Sequence, residues 1–141
     1  MSHMTLEYSA NLRDGAGANA SKRADTGMTA LCTKLAKFMI DLRADGRAVF
    51  PPGGVRVRAL ACEDYCVADG SDAEAGFVHA NLKIGAGRSD AVKQATTHGL
   101  FDIMKSHFAD RYANRGLALS LELNEFSEAG TLKHNNLHGR Y

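Results

Sequence analysis

The sequence predicts an α/β fold made of two consecutive β-α-β units, with a four-stranded mixed sheet and two helices on one of its faces. Two periodicities and one count carry that expectation. Four short segments alternate apolar and polar residues with the period of a strand, and two longer ones repeat apolar residues at helical spacing. They follow one another as strand, helix, strand, then strand, helix, strand. With 141 residues, 45% of them apolar, residues 1–141 suffice for one domain with a single two-layer core.

The first strand is "HMTLEYS", residues 3 to 9, which sets Met4, Leu6 and Tyr8 against Thr5 and Glu7. Residues 13 to 27, "RDGAGANASKRADTG", have neither period and read as a long surface loop. Thr26 or Thr29 is placed to cap the first helix, in which Met28, Leu31, Cys32, Leu35, Phe38, Met39 and Leu42 recur at helical spacing. Asp45-Gly46 is expected to end that helix, because glycine accepts the left-handed cap. "FPPGG" then predicts an extended turn, since a residue before proline avoids helical backbone. In "VRVRALAC", Val55, Val57 and Ala59 oppose Arg56, Arg58 and Leu60.

An acidic, glycine-bearing link, "EDYCVADGSDAEAG", leads into the third strand, "FVHANLKI". Ser89 is the expected N-cap of the second helix, with Asp90 in its first turn. Val92, Ala95, Leu100, Ile103, Met104, His107 and Phe108 form its predicted buried stripe, which runs on until near Gly116. "LALSLELNEF" is the fourth strand, with four leucines on one face. The tail, 127 to 141, is polar and rich in His and Asn.

A crossover connection makes the two strands of each unit parallel. With both helices on one face, the other face is expected to carry too much Tyr, Leu, Ala and Val to stay exposed. Association, with the sheets of several subunits closing against one another, is the expected remedy.

Charge excludes some functions. Seventeen basic and 16 acidic side chains leave a formal charge of +1, which does not make the broad positive field of a nucleic-acid binder. No apolar run has the length of a membrane span, and no signal-peptide pattern opens the chain. Three cysteines, Cys32, Cys62 and Cys66, do not pair evenly, so reduced thiols in a cytoplasmic protein are expected.

The segment "VHANLKIGAGRSDAVKQA" holds the sharpest candidate. A glycine corner between a strand and a helix presents backbone N–H groups, and Arg88 adds a planar fork suited to a carboxylate. Dinucleotide binding does not fit, because the third glycine is missing and Asp90 stands where pyrophosphate would approach. A surface arginine bridging its neighbours is the plainer reading. Arg56 and Arg58 share a strand face, and such pairs are often solvated or hold acidic residues of another subunit.

His134 and His138 have the i, i+4 separation of helical metal ligands, but no third ligand is suggested, so no metal is expected. Cys62 and Cys66 read as buried apolar thiols. His107 reads as a core histidine, and His98 falls on the polar side of its helix. Phe50 either packs in the core or walls a pocket.

Several blocks, "SHMTLEYSANLR", "FPPGGVRVR", "FVHANLKIGAGRS", "LFDIMKSHFA", "LALSLELNE" and "LKHNNLH", run in order along nearly the whole chain. Together they resemble the 5-carboxymethyl-2-hydroxymuconate Δ-isomerase family. That family lies within the superfamily of 4-oxalocrotonate tautomerase and macrophage migration inhibitory factor. The resemblance implies a homotrimer whose sheets form a central barrel, with one active site per subunit boundary. It also implies a reaction without cofactors, in which a proton moves between carbons of a small unsaturated carboxylate during aromatic-acid degradation. The family's base is an amino-terminal proline, and arginines matching Arg56 and Arg88 bind the substrate's acid groups.

Here the position after the initiator methionine is Ser2. A free α-amine titrates at about 7.7–8.0, and burial beside cations lowers that value, so an unblocked Ser2 amine can act as a base. The expected activity is then an isomerase weakened or altered by the loss of the proline. The alternatives are that Ser2 merely begins a strand, and that the protein is a non-catalytic trimer binding a carboxylate or another protein.

Overall fold

A computed structural model describes residues 1–13 and 27–141. The predicted loop at 13 to 27, apart from its two ends, lies outside the described residues, as does Thr26. Strand β1 spans Ser2–Ser9 and a 3-10 turn follows at Ala10–Leu12; helix α1 is Gly27–Asp41. Arg43–Ala44 (β2) and Arg47–Ala48 (β3) form a small hairpin, and a 3-10 turn at Pro52–Gly54 leads into β4, Val55–Cys62. Then come β5 at Gly76–Ile84, α2 at Asp90–His107, α3 at Ala109–Asn114 and β6 at Leu117–Glu125.

The four long strands lie in the order β4-β1-β5-β6. β1 is parallel to β4, β5 is parallel to β6, and the inner pair β1 and β5 is antiparallel. Two parallel crossover units joined in antiparallel fashion are the arrangement expected from the order of elements. Met4, Leu6, Val78, Ala80, Leu82 and Ile84 turn toward the helices, where Leu31, Leu35, Met39, Leu100 and Met104 meet them; all are fully buried. The helices touch at Gly99, where even a methyl group would fall 2.1 Å from the Phe38 ring.

Local details depart from expectation. Helix α1 stops at Asp41, and Asp45-Gly46 instead turns the β2–β3 hairpin, with φ of 50° and 73°. Two successive residues of positive φ match the twist of a two-residue hairpin, which explains the Asp-Gly pair. Thr29 lies inside α1, where its carbonyl accepts from the Thr33 hydroxyl, so it is no cap. Ser89 does cap α2, its Oγ accepting from the Val92 N–H at 3.3 Å. The long second helix breaks at Phe108 (φ −101°, ψ 15°), and α3 completes it as a separate short helix. Thr96, not Ala95, fills the buried stripe of α2; its hydroxyl donates to the Val92 carbonyl at 2.7 Å and is satisfied inside the core. Cys66 is exposed and Cys62 half-buried, because they sit on and beside the solvent-facing link rather than in the core.

The largest correction concerns the open sheet face. It is polar: His79 Nδ1 lies 2.8 Å from Ser120 Oγ, Asn81 donates to Glu122 at 2.7 Å, and Thr5, Glu7, Arg58 and Lys83 share the surface. The Tyr, Leu, Ala and Val of β1 and β5 turn almost without exception toward the helices. Leu60, half exposed, and Phe126 are the apolar residues lining a concavity on the open side.

Candidate active site

β1 is an inner strand, so its first residues are fixed by neighbours on both sides. Ser2 is in register with Val55, and His3 is in register with Arg56 on one side and Lys83 on the other. The Pro-Pro-Gly-Gly turn delivers β4 to that point: Pro51 is extended, at φ −66° and ψ 137°, and Pro52 opens the 3-10 turn with its φ already suited to it. Gly54 lies against the beginning of the chain; a methyl group there would be 3.5 Å from Met1 Cα and 3.5 Å from His138 Cε1. The start of β1, the glycine turn and the C-terminal segment thus converge.

Ser2 is buried with Met4 and Leu6, and its Oγ has no hydrogen-bond partner. With Met1 in place the Ser2 nitrogen is an amide, and the free amine belongs to Met1. Burial holds that amine below its ordinary value of 8.0, and the charges of Lys133, Arg88 and Arg56 push it lower still. The two predicted arginines and the chain terminus therefore share one electrostatic neighbourhood. His3, beside them, is likewise held below the ordinary histidine value, by burial first, then by Arg58, Arg56 and the terminal amine.

Arg88 grips the protein's own backbone. Its Nη1 donates to the Gly85 carbonyl at 2.8 Å and its Nη2 to the Val49 carbonyl at 3.0 Å. The guanidinium also lies over the buried Phe50 ring, 4.8 Å from its centroid. Phe50 is thus at once core and floor for the arginine. Gly87 in the same corner has φ 96°, which a side chain would strain. Arg56 contrasts with Arg88: its Nη1 is buried and makes no hydrogen bond. A buried guanidinium donor without a partner is an open position for an anion. Arg58 is more exposed and approaches His3 Nδ1 at 3.4 Å on the open face.

Lys133 is the cation that sequence reasoning missed. It sits in "LKHNNLH", whose asparagines do form a turn: the Leu137 N–H donates to Asn135 Oδ1 at 2.8 Å, an Asx turn. His134 and His138 are not on a helix, and among the described residues no group of three or more His, Cys, Asp or Glu could hold a metal. The concavity over the open sheet face, of about 670 Å³, shares His3 and Arg58 with this neighbourhood.

A sequence profile of 5-carboxymethyl-2-hydroxymuconate isomerases matches residues 2–141. The chain belongs to the 5-carboxymethyl-2-hydroxymuconate isomerase family. It is 36% identical over 141 residues to the 5-carboxymethyl-2-hydroxymuconate Delta-isomerase of Escherichia coli, covering 100% of this chain and 99% of that one. The crystal structure of a 5-carboxymethyl-2-hydroxymuconate isomerase from Deinococcus radiodurans R1 superposes with a TM-score of 0.84 at 44% identity, over 99% of this chain and 93% of that one. A macrophage migration inhibitory factor-like protein from Entamoeba histolytica superposes at a TM-score of 0.56 and 10% identity, over 95% and 96% of the two chains, a likeness of fold alone. As a member of this isomerase family, the protein is an enzyme by class. The geometry brings an amine held below its ordinary value under the influence of Lys133, Arg88 and Arg56.

Proposed function

We propose that the protein moves a proton between carbons of a small unsaturated polycarboxylate without any cofactor, using the Ser2 amine freed by removal of Met1. The observation that carries this reading is the terminal amine at the head of β1, depressed by burial and by Lys133, Arg88 and Arg56. The same cations would surround the nitrogen of Ser2 one residue further in.

In the forward step the neutral amine takes a proton from an enol O–H or from a carbon next to the conjugated system, and becomes an ammonium. The electron pair left behind spreads through a dienolate toward oxygens that Arg56 and Arg88 face. The ammonium then returns the proton to a carbon further along, and the double bond has moved. Arg56 Nη1, buried without a partner, supports its assignment to a substrate acid group. The 5-carboxymethyl-2-hydroxymuconate named for the relatives supports a substrate of that chemical class, and the proposal takes its role to be in the breakdown of aromatic acids. A homotrimer with the site at each subunit boundary completes the proposal. Serine lacks the rigid secondary amine of proline, so the natural enzyme works below the rate of a proline-headed one.

Two measurements test this. Mass spectrometry of protein made in its own cell should find an unmodified Ser2 terminus. Ultraviolet absorbance should then show decay of 2-hydroxymuconate-type enols, with Met1 retention lowering the rate by about 100-fold or more, the scale of a lost general base. Ser2→Pro should raise kcat. A rate in Ser2→Pro with none in unblocked wild type would withdraw the isomerase reading in favour of a binding protein.

A further inference from the structure

The segment from Thr131 to Leu137 forms neither helix nor strand, yet Asn135 ties it to the glycine turn. Asn135 Nδ2 donates to the Gly53 carbonyl at 3.0 Å, while its Oδ1 accepts the Leu137 N–H at 2.8 Å. Both ends of one amide are thus engaged, one on the glycine turn and one on its own segment. The two backbones touch beside this clamp: a methyl group on Gly53 would fall 2.7 Å from the His138 nitrogen and 2.8 Å from the Leu137 carbonyl carbon. Gly54, next in line, faces both the His138 ring and Met1 Cα.

We propose that Lys133 is a third substrate-binding cation of this site, beside Arg56 and Arg88, and that Asn135 is the positioning residue that carries it there. The inference rests on the isomerase reading in taking the ligand to be a carboxylate. Lys133 is exposed and lies two residues before the clamp. Among the charges acting on the terminal amine, its own is the strongest. The cations divide the work by their chemistry. Arg88 is pinned by two backbone carbonyls and holds an acid group at one position. Lys133 is a compact charge on a flexible stem. It follows a second acid group as the carbon skeleton changes shape between isomers.

Calorimetric titration with adipate and hexanoate, which share a chain length but differ by one carboxylate, tests the assignment without requiring turnover. Wild type, with Ser2 unblocked, should bind adipate about tenfold more tightly than hexanoate, the scale of one hydrogen-bonded charge pair. Lys133→Gln should reduce that preference severalfold, Lys133→Arg should restore it, and Asn135→Ala should reproduce the loss. The acid limb of the pH–rate profile should also move upward in Lys133→Gln and not in Lys133→Arg, which a merely structural role would not produce. If Lys133→Gln keeps the preference while Arg56→Gln loses it, Lys133 is excluded and the isomerase reading stands. If Asn135→Ala alone keeps it, the positioning role is excluded. Failure of wild type to bind either acid overturns both this proposal and the reading beneath it.

Discussion

Arg88 and Arg56 show how one residue type takes two roles in a single site. The guanidinium of Arg88 is tied to the Gly85 and Val49 carbonyls and lies over Phe50, so the strand-to-helix corner and the entry to the proline turn move as one body. Arg56 keeps a buried donor uncommitted. The terminal amine, on which both charges act, has a testable titration. Burial and nearby cations hold the Met1 amine below its ordinary value, and under the proposed function the Ser2 amine that succeeds it turns neutral as pH rises through a similarly lowered value. Activity should therefore climb to its plateau at a lower pH than a free peptide amine would give. Part of the depression comes from three cations, and salt screens exposed charges. The midpoint of the acid limb should accordingly move upward in about 1 M KCl, where the screening length falls to about 3 Å, while the part due to burial persists. At this scale the sequence was half legible. "KIGAGRS" and "GGVRVR" drew attention to Arg88 and Arg56, whereas a lysine in a polar tail has no period to read. Only folding brings residue 133 beside residue 1; its place in "LKHNNLH" was the available signal.

The glycine turn between the β2–β3 hairpin and β4 is where three distant segments meet, and Gly53 permits it. A side chain there would sit against backbone, not against a side chain free to swing aside. Gly53→Ala should cost about 1–3 kcal/mol by overpacking, seen in thermal unfolding. It should also release the C-terminal segment, so trypsin should cut after Lys133 faster than in wild type. The strands and both long helices were legible because each repeats its period several times. The misread elements are short or depend on geometry that periodicity does not carry. Asp45-Gly46 satisfies the chemistry of a helix end and of a hairpin turn alike, and the backbone took the latter. The break at Phe108 interrupts no apolar pattern, because the residue stays buried on the same stripe.

Across the whole molecule, the open sheet face bears on assembly. The alternation that sends Met4, Leu6 and Tyr8 inward also sends Thr5 and Glu7 outward, and β5 does the same with His79, Asn81 and Lys83. Its polarity was therefore written in the period already used to find the strands; the error lay in counting apolar residues without asking which way they pointed. The proposed trimer has to bury a polar, hydrogen-bonded surface, on which Leu60 is an exposed apolar contact. Sedimentation should return three times the 15.1 kDa chain mass. Leu60→Arg should shift the protein toward monomer, and a wild type that sediments as a single chain would remove the trimer from the proposal.

The Met1 end of the chain lies near Gly54, and its amine feels the charges of Lys133, Arg88 and Arg56, which bears on how the protein should be made. An affinity tag fused ahead of Ser2 would keep the Ser2 nitrogen an amide and add chain in front of it. A purified sample would then look inert because of its own handle. A tag joined after Tyr141, beyond the Asn135 clamp, leaves the amine to the cell's own aminopeptidase.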